Sequence, residues 1–307
     1  MTYDLIIIGG GPAGCSAGVY ASRKQLKTLL IAAEFGGQST VSDDIQNWIG
    51  TPHISGADLA KNLKAHVVEY AGDFLQIVEG YKVTKVEKSS DTFVVATNDN
   101  KTYTAKTVLI TAGSNRRKLE AKNADIFEHK GLTYCASCDG PLFSGADVAV
   151  IGGGNAGFES AAQLLAYCKS VTMVIRGDTF RADEITVKKV LSHPNMRVIK
   201  NADILEVTGE TFVNGLVLKD NTDTINTLPV TGIFVEIGQI PNASFLNGLV
   251  ETDKIGKIVI DPWHQTTSVP GIWAAGDVTN IIYHQNNIAS GDAVKALEDI
   301  YQYIHTR

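Results

Sequence analysis

Apolar and polar positions along the chain group into short segments that predict alternating strands and helices. Residues 5–8 are a continuous apolar run, typical of a buried strand, and residues 15–23 are a small-residue stretch that indicates a closely packed helix. A glycine-rich turn, residues 9–14, joins the two, and residues 28–31 predict the next strand. This order predicts one β–α–β unit of a parallel sheet.

The same order of elements returns in the second half of the chain. Residues 147–151 predict a strand, residues 152–157 a glycine turn, residues 158–167 a helix and residues 171–175 another strand. Two matching units favour an α/β fold with two Rossmann-like dinucleotide-binding domains.

Other segments complete the predicted domains. Leu59, Leu63 and Val67 have helical spacing and predict a helix over residues 56–70. Residues 82–98 alternate as hairpin strands, with Asp99 and Asn100 as the turn. Further strands are predicted at residues 108–111, 198–199, 206–207, 216–218 and 232–238, a last helix at residues 288–304, and a polar crossover between the domains at residues 114–130.

The two glycine turns carry the first chemical signal. Each fits the pattern Gly-x-Gly-x-x-Gly after a strand and before a helix, which is the dinucleotide fingerprint. The glycines allow a tight turn and a close approach to a pyrophosphate, and the helix N-terminus supplies N–H donors. The usual ribose carboxylate is expected at the end of the second strand, where Ala33 comes first and Glu34 follows.

The second signal is the pair Cys135 and Cys138, two of the four cysteines in the chain. This spacing lets one thiolate attack the other sulfur, so the pair can cycle between dithiol and disulfide. A structural zinc would need about four ligands in paired spacing, whereas Cys15 and Cys168 are isolated, so redox chemistry is favoured and no metal is predicted. Asp139 follows directly and offers a proton carrier.

Charge and composition exclude several classes of protein. The net charge of −6 argues against nucleic acid as the main partner, because phosphate binding favours a basic surface. The apolar runs are far shorter than the roughly 20 residues that a membrane span needs. Without a basic leader and apolar run at the N-terminus, no signal peptide is predicted, and a cytoplasmic location is expected.

Taken in order, the motifs resemble those of a known family. They are the N-terminal glycine fingerprint, the turn at Gly36, Gly37 and Gln38, the stretch from Cys135 to Gly140, the second glycine loop, and Ala274, Ala275, Gly276 and Asp277. This ordered set resembles the low-molecular-weight thioredoxin reductases over essentially the full chain. Residues 138–143 are also similar to the reductase portion of the alkyl hydroperoxide reductase flavoprotein.

The resemblance implies a homodimer with a three-layer FAD/NAD(P)-binding disulfide reductase architecture. The FAD-binding domain would be discontinuous, residues 1–114 plus 245–307, and residues 115–244 would form the NAD(P)-binding domain with the cysteine pair. A rotation between the domains would present either the nicotinamide or the disulfide to the flavin.

The resemblance also implies roles for individual residues. Cys138 would face the flavin, Cys135 would attack the disulfide of a thioredoxin-like small redox protein, and Asp139 would act as general acid and base. The residues predicted to hold FAD are Gly9, Gly11, Pro12, Ala13, Gly14, Ala33, Glu34, Gly37, Gln38, Asn47, Ala112, Gly113, Gly276, Asp277, Gln285 and Asn286. Those predicted to hold the nicotinamide nucleotide are Gly152, Gly154, Asn155, Ala156, Gly157, Arg176 and Arg181.

The chain departs from the family pattern at the electron donor. Members that use NADPH have a His-Arg-Arg run and a further Arg, whereas this chain has Ile175, Arg176, Gly177 and then Arg181. Losing one charge-assisted phosphate contact costs about 1.5–3 kcal/mol, and Ile175 cannot accept from a ribose hydroxyl. We therefore expect impaired NADPH use without a clear gain for NADH.

Three functions are compatible with the sequence. The first is a thioredoxin-reductase-like enzyme that uses NADPH weakly or uses NADH. The second is the same flavoprotein scaffold supplied by another donor, such as ferredoxin, with a vestigial second loop. The third is a flavin-dependent dithiol oxidase that forms disulfides and passes electrons to oxygen.

Overall fold

The computed structural model describes residues 1–42 and 44–306. The strands up to the cysteine pair are β1 (Thr2–Gly10), β2 (Thr28–Phe35), β3 (Leu75–Glu79), β4 (Val83–Ser89), β5 (Thr92–Thr97), β6 (Thr102–Ile110), β7 (Ser114–Arg116) and β8 (Leu132–Thr133). The later strands are β9 (Asp147–Ile151), β10 (Ser170–Val174), β11 (Met196–Ile199), β12 (Asp203–Gly209), β13 (Val213–Lys219), β14 (Ile225–Leu228), β15 (Gly232–Val235), β16 (Gln239–Pro241) and β17 (Ile272–Ala274). The helices are α1 (Pro12–Arg23), α2 (Gly56–Ala71), α3 (Ala136–Asp139), α4 (Asn155–Leu164), α5 (Glu184–Leu191) and α6 (Asn286–Thr306). Within the described residues, no helix combines the length and apolar character needed to cross a membrane.

The chain divides into two compact units. The first combines Met1–Asn115 with Ile240–Arg307, and the second is Arg116–Gln239. The chain thus returns to the first unit at Ile240, earlier than residue 245, where the sequence analysis places the boundary. Asn242 shows why, because its backbone N–H donates to the carbonyl of Gly113 (3.0 Å) and its side chain to that of Ala112 (2.9 Å).

The first unit is built on one mixed sheet with the order β3-β2-β1-β6-β5-β4, and β17 also pairs with β6. The strands β3, β2, β1, β6 and β17 run parallel, whereas β5 and β4 are antiparallel additions. The carboxyl ends of β1, β2, β6 and β17 therefore lie at one edge of the sheet. In open α/β sheets this is the edge at which ligands bind.

Strand β1 is the centre of this unit because both of its faces are buried. Leu5 and Ile7 pack into one hydrophobic core with the helices α1 and α6. Ile6 and Ile8 pack into a second core on the opposite face. A central strand that is apolar at successive positions is typical of a parallel sheet covered on both sides, and the unit has three layers.

The second unit repeats this construction. Its parallel sheet has the order β11-β10-β9-β15-β8, and β12, β13 and β14 form a separate antiparallel sheet. Val148 and Val150 of β9 pack into a core with α4, while Ala149 and Ile151 pack into the core that contains residues of β12 and β13. The predicted α/β fold with two Rossmann-like units is confirmed.

Several local features differ from the predictions, among them α5, β14 and the segment 82–98. Helix α5 is absent from them because it buries only Val190 and exposes Ile185, so its apolar face is too narrow to read from the sequence. Strand β14 is absent as well, since its residues are mostly exposed. The segment 82–98 contains an additional turn at Ser90, which has a positive φ of 53°, so β4 and β5 are separate strands.

Candidate functional site

The first glycine loop joins β1 to α1, and each of the three glycines of its Gly-x-Gly-x-x-Gly pattern has a distinct structural reason. Gly9 has a φ of +121°, and a Cβ there would lie 2.3 Å from the carbonyl oxygen of Thr111. A Cβ on Gly14 would lie 1.8 Å from the carbonyl oxygen of Gly9. Gly11, the N-cap of α1, has no atom within 4 Å of the place that a Cβ would take. The open side of the loop is thus beside Gly11, where the unpaired N–H groups of α1 begin.

A cavity of about 480 Å³ lies beside this loop at the carboxyl edge of the first sheet. Its volume is within the range of small-molecule and cofactor sites. The wall is formed by the loop, the end of β2, the turns after β6 and β17, and the start of α6. The predicted FAD residues on this wall are Gly9, Gly11, Pro12, Ala13, Ala33, Glu34, Gly37, Gln38, Ala112, Gly113, Gly276, Asp277 and Asn286.

Three predicted FAD residues are not on the cavity wall. Gly14 is buried within α1. Asn47 Nδ2 donates to Gln285 Oε1 (2.9 Å), and Asn287 Nδ2 donates to the Asn47 carbonyl oxygen (2.7 Å). The structure therefore brings Asn47 and Gln285 together in a hydrogen-bonded cluster at the start of α6.

Asp277 lies on the cavity wall at the end of a chain of polar groups. Lys257 Nζ lies 2.7 Å from His284 Nε2, and His284 Nδ1 lies 3.3 Å from Asp277 Oδ1. An ammonium group can only donate, so His284 accepts at Nε2 and carries its proton on Nδ1, facing Asp277. Burial lowers the pKa of Lys257, and the carboxylates of Asp277 and Asp253 oppose that shift. The Asp277 carboxylate thus faces the His284 ring on its protein side.

The cavity wall also contains polar residues that are absent from the sequence-based set. Asn115 Nδ2 donates to Asn242 Oδ1 (3.0 Å), and both residues line the cavity. Gln38 Nε2 lies 3.4 Å from Asn115 Oδ1, which links this pair to a predicted residue. Asn115 and Asn242 are 127 positions apart in the chain, so no local motif joins them and only the fold brings them together.

The second glycine loop, between β9 and α4, has the same geometry as the first. Gly152 has a φ of +124°, and a Cβ there would lie 2.2 Å from the Glu236 carbonyl oxygen. A Cβ on Gly157 would lie 2.2 Å from the Gly152 carbonyl oxygen, whereas Gly154, the N-cap of α4, has no atom within 4 Å of that position. The two loops therefore share one arrangement of a twisted, an open and a closely packed glycine.

Asn155 and Ala156 form the exposed first turn of α4. The Asn155 Oδ1 atom accepts a hydrogen bond from the backbone N–H of Asp183 at 2.9 Å. This bond ties the segment that leads into α5 to the start of α4. The side chain of a predicted site residue therefore holds that segment beside the second loop.

The residues predicted to select the donor lie after the carboxyl end of β10. Arg176 is exposed, and its Nε lies 3.3 Å from Asp203 Oδ1. The backbone N–H of Arg181 donates to the Gly153 carbonyl oxygen (2.8 Å), so this residue lies against the glycine loop. Ile175 is buried and packs against the same loop. One of the two arginines thus already has an acidic partner.

Cys135 and Cys138 are joined by a disulfide, with Cys135 as the N-cap of the short helix α3. The Sγ of Cys135 accepts a hydrogen bond from the backbone N–H of Cys138 at 3.2 Å. Both cysteines are half-buried, and Ser137 between them is exposed. The predicted pair is thus bonded and partly open to solvent.

Hydrogen bonds connect the disulfide segment to its surroundings. Ser137 Oγ donates to Gln163 Oε1 (3.0 Å), which ties α3 to α4, the helix that begins at the second glycine loop. The Thr133 hydroxyl donates to Asp139 and also accepts from the backbone N–H of Cys135 (3.3 Å). One buried hydroxyl therefore links the Asp139 carboxyl to the first cysteine of the pair.

The other two cysteines are buried thiols. Burial raises the pKa of Cys15 to about 12 and that of Cys168 to about 11. Thiols of this kind are unreactive at neutral pH, since the thiolate is the nucleophile. No group of three or more side chains able to hold a metal ion occurs among residues 1–42 and 44–306.

Comparison with known proteins gives a family for this arrangement. The family model for pyridine nucleotide-disulphide oxidoreductases matches residues 3–293. The chain therefore belongs to the pyridine nucleotide-disulphide oxidoreductase family.

Solved structures refine this result. A thioredoxin reductase from Streptococcus pyogenes matches with a TM-score of 0.90 at 32% identity, over 100% of this chain and 99% of that chain. A thioredoxin reductase from Giardia duodenalis matches with a TM-score of 0.93 at 31% identity, over 99% of both chains. With the family match, these similarities make the chain a thioredoxin-reductase-like FAD oxidoreductase, as predicted. The family implies FAD and a pyridine nucleotide as cofactors.

Curated relatives carry other names. An NADH dehydrogenase of Bacillus subtilis is 38% identical over 303 residues, which are 98% of this chain and 58% of that protein. One component of the alkyl hydroperoxide reductase of Escherichia coli is 37% identical over 304 residues, again 98% of this chain and 58% of that protein. The chain thus spans somewhat more than half the length of these relatives.

Proposed function

We propose that this protein is a flavin-dependent disulfide reductase that passes electrons from NAD(P)H, through FAD and the Cys135–Cys138 disulfide, to a thioredoxin-like small redox protein. The observation that carries this proposal is the shared geometry of the two glycine loops together with a disulfide tied to the helix that begins at the second loop. Two dinucleotide sites and a dithiol–disulfide pair are the parts that a two-electron relay requires.

FAD is assigned to the first unit in this proposal. The open position beside Gly11 and the α1 N-terminus suit a pyrophosphate, Glu34 on the cavity wall suits a ribose, and Asp277 suits the hydroxyl groups of a ribityl chain. Bound there, FAD would supply a carrier that takes two electrons from a nicotinamide and gives them to a disulfide. The nicotinamide nucleotide is assigned to the second loop.

The cysteine pair would transfer electrons by thiol–disulfide exchange. Two electrons and two protons convert the Cys135–Cys138 disulfide to a dithiol. The Cys135 thiolate then attacks the partner's disulfide and forms a mixed disulfide, with one partner sulfur leaving as a thiolate. The Cys138 thiolate displaces the second partner sulfur and restores the internal disulfide, so the partner leaves as a dithiol.

Asp139 and Thr133 are assigned to proton movement in this exchange. The Thr133 hydroxyl donates to the Asp139 carboxyl and accepts from the Cys135 N–H, so the carboxyl lies one hydrogen-bonded group away from the first cysteine. A carboxyl group at this place can give a proton to a leaving thiolate and take it back when the thiol next reacts.

A surface beside the disulfide is available for the partner. Leu142 is 72% exposed, whereas Phe143 packs edge-to-face on Phe234 in the core. Leu142 is thus a better candidate than Phe143 for a contact with a small redox protein. An exposed apolar side chain next to a reactive disulfide is typical of a protein-binding surface. The homodimer, which the resemblance implies, and the cytoplasmic location, which the sequence analysis expects, stay predictions.

The test of the proposal is anaerobic flavin reduction followed by turnover. NADH or NADPH should bleach the bound flavin within seconds, and the reduced protein should then reduce thioredoxin. Bleaching by neither nucleotide would contradict the proposal and favour another donor such as ferredoxin. Rapid hydrogen peroxide formation from dithiol substrates in air would instead favour a dithiol oxidase.

The ion pair between Arg176 and Asp203 gives a prediction about the donor. Replacing Asp203 by asparagine should raise kcat/KM for NADPH by roughly two- to fivefold, because it releases Arg176 from an exposed pair worth up to about 1 kcal/mol. Replacing Arg176 by alanine should lower kcat/KM for NADPH by about tenfold, the size of one charge-assisted phosphate contact. NADH turnover should change less than about twofold in both variants.

Arg197→Ala is the matched control, because Arg197 is an exposed arginine on the neighbouring strand β11. It should leave the ratio of NADPH to NADH turnover unchanged. An Arg176→Ala variant with the same ratio as this control would exclude Arg176 from the phosphate site.

A further inference from the structure

Glu236 is a carboxylate at an unusual place in the second unit. It directly follows β15, whose residues are all apolar and buried. Its backbone N–H donates to the Ile151 carbonyl oxygen (2.7 Å), and its own carbonyl oxygen faces the twisted glycine of the loop, Gly152. The side chain is thus fixed beside the second glycine loop. The sequence contains a sign of this position, because Glu236 is the one charged residue in the apolar run 232–238.

The Glu236 carboxyl group is mostly buried. Ser160 Oγ, on α4, donates to Oε1 at 2.6 Å. Burial raises the pKa of Glu236 to about 7, while the Ser160 hydrogen bond and the charge of Arg116 act to lower it and the charge of Glu159 acts to raise it. Arg116 itself donates to the carbonyl oxygen of Tyr134. A mostly buried acid that changes charge near neutral pH is typical of a functional position.

The strand order indicates which part of a dinucleotide would reach this carboxyl group. From β9 the chain passes through α4 to β10 on one side, while β15 lies on the other side of β9. In a doubly wound sheet this reversal is the binding crevice, with the pyrophosphate at the helix N-terminus. Arg176 and Arg181 follow β10, so the adenosine half lies toward that strand. The nicotinamide half then extends over the carboxyl end of β15.

We propose that the Glu236 carboxylate, oriented by Ser160, contacts the nicotinamide end of the dinucleotide and stabilises positive charge on its ring. This inference rests on the proposed function, because it requires a nicotinamide nucleotide at the second loop. The oxidised ring carries a positive charge and the reduced ring is neutral, so an ionised carboxylate favours the oxidised form. The same interaction stabilises the charge that develops on the ring as hydride leaves.

The test compares binding of an oxidised and a redox-inert reduced nucleotide to the FAD-loaded protein. NAD⁺ and 1,4,5,6-tetrahydro-NAD, which has a neutral ring, are titrated by calorimetry at pH 6 and pH 8. These probes lack the 2′-phosphate of NADP, whose own titration near pH 6 would disturb the comparison. The proteins are wild type, Glu236→Gln and the control Glu210→Gln, an exposed acid in the turn between β12 and β13.

At pH 8, Glu236→Gln should weaken NAD⁺ binding by about tenfold and the tetrahydro analogue by less than twofold. Wild type should bind NAD⁺ more tightly at pH 8 than at pH 6, and Glu236→Gln should lose that difference. Ser160→Ala should move the midpoint of the wild-type pH profile upward, because it removes a hydrogen bond that favours the ionised carboxyl. A purely structural role of Glu236 predicts none of these changes.

Two negative outcomes have different meanings. If wild type binds the nucleotides and Glu236→Gln matches Glu210→Gln at both pH values, this inference is wrong and the proposed function stands. If wild type holds FAD but binds neither probe and is reduced by neither NADH nor NADPH, the proposed function fails and the inference fails with it.

Discussion

Replacing Cys138 by serine is expected to lower disulfide turnover on the order of a thousandfold or more, while the bound flavin is still reduced by the nicotinamide donor. The proposed exchange needs both sulfurs, because the internal disulfide can neither accept electrons nor re-form without Cys138. Turnover is measured with thioredoxin and with a small aromatic disulfide. Flavin bleaching is followed separately by anaerobic stopped flow, so the two half-reactions are distinguished.

The same variant separates the roles of the two cysteines. If Cys135 attacks the partner, Cys138→Ser should accumulate a mixed disulfide between Cys135 and thioredoxin, visible on a non-reducing gel, and Cys135→Ser should not. Cys168→Ser is the control, since Cys168 is a buried thiol with a raised pKa and should leave turnover unchanged. Wild-type turnover in Cys138→Ser, or trapping through Cys138 in Cys135→Ser, would contradict the proposed order.

The parts of the structure that the sequence predicts well are those set by local geometry. The strand–glycine–helix order at both loops follows from residue types alone, because positive φ values and close backbone contacts permit little besides glycine at Gly9 and Gly152. The disulfide between Cys135 and Cys138 follows from two-residue spacing in the same way, since both sulfurs are held within one helical turn.

The parts that the sequence does not predict depend on tertiary contacts. The sequence-based boundary places Asn242 outside the first unit, yet two hydrogen bonds join it to the turn after β6. Asn47 and Gln285 are both predicted beside the flavin, but their hydrogen bond to each other across 238 positions is indicated by no motif. Glu236 lies in a run that predicts an apolar strand. Its carboxyl group is oriented by a hydrogen bond from Ser160 on α4, which the sequence does not indicate. Each of these pairs is distant in sequence, so no periodicity or spacing connects its members.

Replacing Gly14 by alanine is expected to destabilise the first unit strongly, by about 3 kcal/mol or more. The new Cβ would lie 1.8 Å from the Gly9 carbonyl oxygen and 2.9 Å from Thr111 Oγ1, so either α1 or the glycine loop must move. Both are core elements, since α1 packs on β1 and α6. We expect a fall in the unfolding temperature of the FAD-free protein by roughly 6–12 °C, measured by circular dichroism.

Gly11→Ala is the matched variant, because it adds the same methyl group in the same loop. At Gly11 the new Cβ would have no neighbouring atom within 4 Å. The FAD-free protein should unfold within about 4 °C of the wild-type temperature, because the only expected cost is that alanine is a poorer N-cap than glycine. FAD binding, measured by fluorescence titration, should weaken at least about tenfold, since the methyl group enters the cavity where a pyrophosphate would approach the backbone. A loss of stability in Gly11→Ala as large as that in Gly14→Ala would show that the loop is packed on its open side. Unchanged FAD affinity in Gly11→Ala would mean that the pyrophosphate does not lie against this loop. A Gly14→Ala variant with wild-type stability would contradict the close packing of α1 on Gly9.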